Sequence, residues 1–341
     1  MPKATSSLGE QTCLFLTGGT GFFGRALLRH LGGLAEQGSN PYRVTVMSRS
    51  VTGFLAAYPE FAGLSWLAFH EGDILTGVDA FPQCDRFSHV LHAAADSTLG
   101  PQMRLLDRFD QIVIGTRNVL DFAVRVGAKR FLLTSSGGVY GAQPPELDAI
   151  PETYHGMPDP LLAGNAYSVA KRQAEHLCAL YADKTGIEVV VARCFAFVGP
   201  DLPLDAHFAI GNFIRDVLRG SDIVVNGDGT PVRSYLDQDD LAHWLLTLLT
   251  RGRSGEAYNV GSNEAVTIAE LAELVRRLLA PTSVVRLLRK PGADTAIRNR
   301  YLPSITKAKD ELGLTVATSL EAAIKKTAQA ATRKNEQNGR P

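Results

Sequence analysis

The sequence predicts an α/β fold: a doubly wound parallel sheet carrying a smaller C-terminal lid domain. Two observations predict it. Short apolar runs alternate with longer stretches of helical periodicity over the first 199 residues, and the runs are apolar throughout rather than at alternate positions. Strands of that kind are covered on both faces, which is the condition of a parallel sheet whose crossovers are helices. After Gly199-Pro200 the rhythm breaks into a helix, a turn-rich segment and shorter pieces, the pattern of a second, smaller unit.

Taken in order, "CLFLTG" is the first strand and "GRALLRHLGGLAEQG" the helix that leaves it. "YRVTVMSRS" is the second strand, and "HVLHAAAD" is a later one. "DQIVIGTRNVLDFAVRVGA" reads as a helix, "RFLLTSS" as a strand, "NAYSVAKRQAEHLCALYADKTG" as a helix and "IEVVVARCFAFVG" as a strand. Beyond them come a helix in "HFAIGNFIRDVLRG" and turns in "NGDGTPVRSY". "DDLAHWLLTLLTRG" and "EAYNVGS" have the character of a return to the main sheet. The expected division is therefore 12–199 with 236–262 for the larger unit and 200–235 with 263–330 for the substrate-binding unit. Residues 1–11 and the polar 331–341 are expected to be flexible tails.

Composition excludes several classes. Among 341 residues, 45% are apolar and 35 basic side chains balance 35 acidic ones, so no polyanion-binding surface is implied and nucleic acid is not an expected partner. Cys13, Cys84, Cys178 and Cys194 lie far apart, without the short paired spacings of a zinc site or the density of a disulfide scaffold. A reduced, cytoplasmic protein with no metal is expected. No run approaches the roughly 18 apolar residues of a membrane span, and the first residues lack the apolar core of a signal peptide.

The segment "TGGTGFFGRALL" follows the first strand and opens a helix, with Gly18, Gly21 and Gly24 at three-residue spacing. The first glycine permits a tight turn, the second lets backbone approach a pyrophosphate, and the third lets helix and strand pack closely. The helix N-terminus adds attraction for the phosphates. A dinucleotide therefore fits a Rossmann arrangement here. At the end of the second strand stand Ser48, Arg49 and Ser50, and no acid is present to accept from a ribose 2′-hydroxyl. A guanidinium with flanking hydroxyls suits the 2′-phosphate of NADP, a surface arginine in a loop being the alternative; NADP is favoured over NAD. Asp73, in "EGDIL", is either a ligand of the adenosine or a turn acid.

Tyr167 and Lys171 are four residues apart on one helix and so are neighbours on its face. A phenol with an ordinary pKa near 10 is a poor base at neutral pH, and a nearby ammonium stabilises the phenolate and brings the group toward the working range. Ser136, in "LLTSSGGVYG", lies at the carboxyl edge of a strand, where its hydroxyl reaches a reacting carbonyl or alcohol.

With these motifs in hand, the chain resembles the extended short-chain dehydrogenase/reductase family, in its NAD(P)-dependent nucleotide-sugar epimerase/dehydratase branch. The resemblance runs from Thr12 to Lys326 and rests on "TGGTGFFG", "EGDI", "LHAAAD", "SSGGVYG", "YSVAK", "FVGP", "GDGTPVRSYLDQDDLA" and "YNVGS". It implies that Tyr167 is the acid and base, that Lys171 also holds the nicotinamide ribose and that Ser136 orients the substrate. It further places Phe22, Phe23, Gly24, Asp73, Ile74, Ala93 and Ala94 on the dinucleotide, and Arg233 on the nucleotide diphosphate of the substrate. Asp96 is expected beside the substrate, whereas His92 is expected to be structural. "RKPGAD" resembles a late phosphate-binding segment, for which Arg289, Arg298 and Arg300 compete, Arg298 being the choice.

The departures from that pattern shape the expected reaction. Sugar-nucleotide 4,6-dehydratases carry an Asp-Glu pair after the catalytic Ser or Thr, and this chain has Gly137-Gly138. Ala196 and Ile112 each stand where the family has asparagine. Reduction of a 4-keto sugar nucleotide by Tyr/Lys/Ser catalysis is the expected activity. The alternatives are a nucleotide-sugar 4-epimerase with retained NAD, a reductase or dehydrogenase of a substrate without a nucleotide, and a non-catalytic dinucleotide-sensing module. The presence of Tyr167 and Lys171 speaks against the last. Relatives pair through a four-helix contact, so a homodimer is expected through the helix after Gln102 and the helix of Tyr167.

Overall fold

The computed structural model describes residues 12–83, 86–95, 102–289 and 299–337. The first half alternates strand and helix: β1 (Thr12–Thr17), α1 (Phe22–Glu36), β2 (Tyr42–Ser48), α2 (Val51–Ala57), β3 (Leu67–Glu71), β4 (His89–His92), α3 (Leu105–Arg125), β5 (Arg130–Ser136), α4 (Ala166–Thr185) and β6 (Glu188–Cys194). The second half adds β7 (Phe197–Val198), α5 (Ala209–Leu218), β8 (Ile223–Val225), β9 (Val232–Arg233), β10 (Leu236–Asp237), α6 (Gln238–Arg251) and β11 (Ala257–Val260). It closes with β12 (Val266–Thr267), α7 (Ile268–Leu279), β13 (Val285–Leu287), β14 (Arg300–Tyr301), α8 (Thr306–Leu312) and α9 (Leu320–Gln337).

Seven strands form one sheet in the order β3-β2-β1-β4-β5-β6-β11, and every pairing in it is parallel. The order reverses between β1 and β4, so the crevice at their carboxyl ends is where a doubly wound sheet binds ligands. The alternation of side chains along β1 separates two cores. Leu14 and Leu16 join Leu27 and Leu31 of α1 and Trp244 and Leu245 of α6 on one face. Phe15 points to the other, 4.4 Å from the Phe122 ring of α3 between centroids, with Ala174 of α4 in the same cluster. This double covering is why the strands read as unbroken apolar runs.

The smaller unit gathers α5, α7 and α9 around Ile210, Phe213, Ile214, Leu271, Val275 and Ile324. Short strand pairs brace it: β8 with β13, and β9 between β12 and β14. Ile305, Ala308, Leu312 and Leu314, within the stretch 263–330 that the sequence division gives to this unit, pack instead into the core beneath α6. The tail expected from residue 331 is a continuation of α9 as far as Gln337, held where Lys334 donates to the Pro200 carbonyl at 3.1 Å.

One ionic cluster joins the two units. Asp201, whose side chain is fully buried, accepts from Arg25 Nε at 3.0 Å and Arg29 Nε at 3.2 Å, and Lys334 lies 3.7 Å away. Gln238 also donates to it at 2.6 Å, and Arg25 in turn donates to the Thr20 carbonyl in the glycine turn at 2.7 Å.

Candidate active site

The glycine turn is shaped by contacts that admit no side chain. Gly18 has φ of +73°, and a Cβ there would lie 2.4 Å from the Ala93 carbonyl oxygen at the end of β4. A Cβ at Gly24 would lie 2.2 Å from the backbone of Gly19, so helix and turn touch directly. Gly21 differs: its Cβ would meet only the Gly18 oxygen, at 3.4 Å. No side chain caps the first turn of α1, and Gly21, Phe22 and Phe23 line a cavity of about 1100 Å³. A turn with open space over its second glycine and uncapped helix amides fits a dinucleotide pyrophosphate.

The same cavity runs along the carboxyl edge of the sheet. At one end it is lined by Ser48, Arg49, Asp73, Ile74, Ala93 and Ala94, and further along by Ser136, Tyr167, Lys171 and Arg233. Gly24 lies beneath it, packed on the turn. Arg49 is exposed and no partner holds its guanidinium among the described residues. The Asp73 carboxylate accepts from the Leu75 amide at 3.0 Å, completing its own turn. Asp96 and Arg298 lie outside the described residues. Arg300 donates to the Asp148 carbonyl, and the Arg289 amide meets the Gly227 carbonyl at 3.3 Å.

His92 stays out of the cavity. It is buried between Thr17, 2.7 Å from its Nδ1, and Thr116, 3.1 Å from its Nε2. Burial and then the Lys171 charge lower its pKa to about 3, so it is neutral and ties β1, β4 and α3 together. Lys171 is buried as well and donates from Nζ to the Thr134 carbonyl at 2.7 Å. Burial lowers its pKa to about 8, with Cys194 and Glu175 opposing.

Tyr167 has two cations near its ring. Burial raises its pKa; the Ser136 hydroxyl, through a hydrogen bond, and the charge of Arg108 act against that rise. The Lys171 ammonium stands 6.0 Å from the Tyr167 ring centre, whereas the Arg108 guanidinium covers that ring at 4.2 Å. A second cation thus stands nearer the ring than the helical neighbour: Lys171 bonds to the end of β5, and Arg108 comes in from α3.

Two further residues of the site escape sequence reasoning. Tyr301 lines the cavity, its ring 4.6 Å from that of Phe195 between centroids and under the Arg233 guanidinium at 5.9 Å. A Cβ at Gly137 would lie 2.7 Å from both the Tyr301 hydroxyl and the Phe195 ring, and one at Gly138 would lie 2.6 Å from Ser168 Oγ. The side chains of Phe195 and Tyr301 thus occupy the space beside Gly137, and Ser168 that beside Gly138. Burial raises the Tyr301 pKa, so this phenol keeps its proton, and Ser136 is again a hydrogen-bond partner. Pairing of β14 with β9 sets Tyr301 opposite Arg233. That pairing involves two-residue strands without periodicity, so only the short signal "VRSY" hinted at it.

A dinucleotide turn at the switch point of the sheet, sharing one cavity with a tyrosine, lysine and serine, defines an extended short-chain dehydrogenase/reductase. Comparison with known proteins places it further. The chain belongs to the NAD dependent epimerase/dehydratase family, whose profile matches residues 14–261. It is 32% identical over 300 residues to UDP-glucuronic acid decarboxylase 3 of Arabidopsis thaliana, covering 88% of this chain and 83% of that protein. To UDP-glucuronic acid decarboxylase 5 of the same plant it is 38% identical over 201 residues, a match that spans 59% of this chain and 57% of the relative. Among solved structures, UDP-glucose 4-epimerase of Thermotoga maritima with UDP-glucose superposes with a TM-score of 0.77 at 25% identity, over 95% of this chain and 99% of that one. The dTDP-glucose 4,6-dehydratase of Streptomyces venezuelae, solved with NAD, shares the fold with a TM-score of 0.80 at 24% identity, over 96% of this chain and 98% of that one. Among the described residues no helix is long and apolar enough to cross a membrane.

Proposed function

We propose that the protein reduces a 4-keto sugar carried on a nucleoside diphosphate, with NADPH as the reductant. The observation that carries this reading is the closed space at Gly137 and Gly138: elimination of water calls for an acid and a base beside Ser136, and the room at Gly137 is taken by Tyr301 and Phe195 and that at Gly138 by Ser168. When bound, the nicotinamide dinucleotide supplies the hydride. Phe22 and Phe23 at the start of α1 would hold its pyrophosphate, Arg49 with Ser48 its 2′-phosphate, and Lys171 its nicotinamide ribose. Tyr167 gives its phenolic proton to the sugar oxygen, and the Ser136 hydroxyl hydrogen-bonds the same oxygen. Arg233 answers the charge of the substrate diphosphate.

A second reading is favoured by the named relatives. A 4-epimerase oxidises and re-reduces its sugar with retained NAD. The decarboxylase relatives suggest that same oxidation on a uronate, since a ketone at C4 makes the C6 carboxylate that of a β-keto acid. Tyr167 then works as base first and acid second. Cys178 and Cys194, buried thiols outside any disulfide, suit a cytoplasmic setting, and the exposed Leu106, Ile114 and Val124 of α3 with Leu180 of α4 suit pairing of two copies.

Three incubations separate the readings. Stoichiometric loss of NADPH with dTDP-4-keto-6-deoxyglucose supports the reductase. Interconversion of UDP-glucose and UDP-galactose without net change in cofactor supports the epimerase, and carbon dioxide from UDP-glucuronic acid supports the decarboxylase. A mass spectrum of ligands released from fresh protein gives an independent answer, retained NAD favouring the second reading.

A further inference from the structure

Arg108 sits one turn into α3, and its guanidinium carbon lies 4.2 Å from the centre of the Tyr167 ring. It is not among the residues that line the cavity, so it covers the phenol from behind the ligand space. The other ionisable groups around Tyr167 come from every neighbouring element. Lys171 of α4 lies 6.0 Å from the ring centre and is bonded to Thr134. Cys194 of β6 and Arg108 act on Tyr167 by charge, as Tyr167 does on Tyr301 of β14. His207, in the loop before α5, lines the cavity and itself feels the Arg108 charge.

We propose that Arg108 is the positioning residue for proton transfer, its guanidinium spread on the face of Tyr167 and stabilising the phenolate left when the proton departs. This rests on Tyr167 being the acid of the reaction proposed above. In that step the Tyr167 O–H bond breaks as its proton passes to the sugar oxygen, while the carbonyl carbon takes hydride from NADPH. The products are an alcohol, NADP⁺ and a phenolate, which water reprotonates. The only charge the protein gains is on the phenolate, and a half-buried cation held against the aromatic face meets it directly. Burial moves the phenol the wrong way, and the Ser136 hydrogen bond and the Arg108 charge both oppose it. Lys171 lines the cavity, where the ribose would sit, whereas Arg108 does not and so can act on the ring alone.

The test compares Arg108→Gln and Arg108→Lys with wild type. With NADPH and dTDP-4-keto-6-deoxyglucose, Arg108→Gln should lower turnover at pH 7 by about tenfold and move the pKa of the rate profile up by about one unit, the scale of one nearby opposite charge. NADPH affinity should stay unchanged, and Arg108→Lys should restore most of the profile. Tyrosinate absorbance, titrated as the difference between each protein and its Tyr167→Phe counterpart, should show the same upward shift. That titration needs no substrate, so it still judges Arg108 if the proposed reaction is absent. A tyrosinate titration unmoved by Arg108→Gln, in protein that binds NADPH normally, overturns the proposal. So does a loss of turnover with an unshifted pH profile.

Discussion

The two ends of the cavity are made by different means. At the dinucleotide end the chain works with backbone: Gly18 and Gly24 exist because carbonyls and a helix pass where a Cβ would stand, and the turn amides face the ligand space. At the sugar end it works with side chains drawn from distant parts of the chain, Ser136, Phe195, Arg233 and Tyr301, whose contacts are ring on ring and hydroxyl on hydroxyl. The first end is intolerant of change and generic in what it binds. The second can exchange one side chain for another without disturbing the sheet, and it is there that Gly137 has given its space to an aromatic pair. Binding of the common cofactor is fixed by geometry that any family member must keep; choice of sugar and reaction is left to replaceable groups.

That contrast is tested most severely where the ends meet. Tyr167→Phe should keep the fold and both dinucleotide affinities yet lower turnover by roughly 10²–10⁴-fold, measured with whichever substrate the incubations identify. Near-normal turnover would remove Tyr167 from the chemistry. Next in size is Gly18→Ala, which forces a left-handed backbone on a residue with a Cβ, at about 1–2 kcal/mol, and presses it on Ala93. Thermal unfolding should move down, and NADH and NADPH should weaken together; loss of one and not the other would break the claim that this end is generic.

Arg49→Ala probes the side chain proposed to select NADP at the dinucleotide end. NADPH affinity should fall by at least roughly tenfold, one charge-assisted hydrogen bond being worth about 1.5–3 kcal/mol, with NADH almost unaffected. Equal losses would make Arg49 a bystander and favour the epimerase. The smallest change expected is from Tyr301→Phe, which deletes a neutral hydrogen bond worth about 0.5–1.5 kcal/mol and leaves the ring in place. A drop in kcat/KM of roughly three- to tenfold with unchanged NADPH binding is expected, and a drop in cofactor affinity would contradict the division between the ends.

The same division explains what the sequence discloses. Gly18, Gly21, Gly24, Tyr167 and Lys171 are legible because each is fixed by local spacing, a turn or one helical repeat, and the sheet is legible because burial on both faces erases alternation in its strands. Arg108 and Tyr301 are not, because their neighbours lie far along the chain and the strand that delivers Tyr301 is two residues long. Helical spacing puts Lys171 beside Tyr167, yet Lys171 bonds to Thr134 across the helix-sheet interface: sequence shows which side chains share a face, and tertiary contacts decide which bonds they make. The helical state of residues 331–337 depends likewise on Lys334 meeting Pro200, a contact 134 positions apart.

Asp201 joins α1 and α9 into one opening unit. Because its carboxylate receives Arg25 and Arg29 of α1 as well as Gln238, and lies 3.7 Å from Lys334 of α9, neither segment leaves without stranding charge in a buried place. Amide hydrogens at the start of α1 and near the end of α9 should therefore exchange with solvent in step, as one cooperative unit. Burial by itself raises the pKa of this carboxyl, but the Arg29 hydrogen bond and the charges of Arg25 and Arg29 hold it below the ordinary value. A group depressed in the folded state stabilises it above the unfolded pKa, about 3.9, and that contribution is lost as the pH falls through the folded value. Acid below about pH 4 thus loosens the glycine turn and the last helix at the same moment, and the Arg25 bond to Thr20 carries the disturbance to that turn.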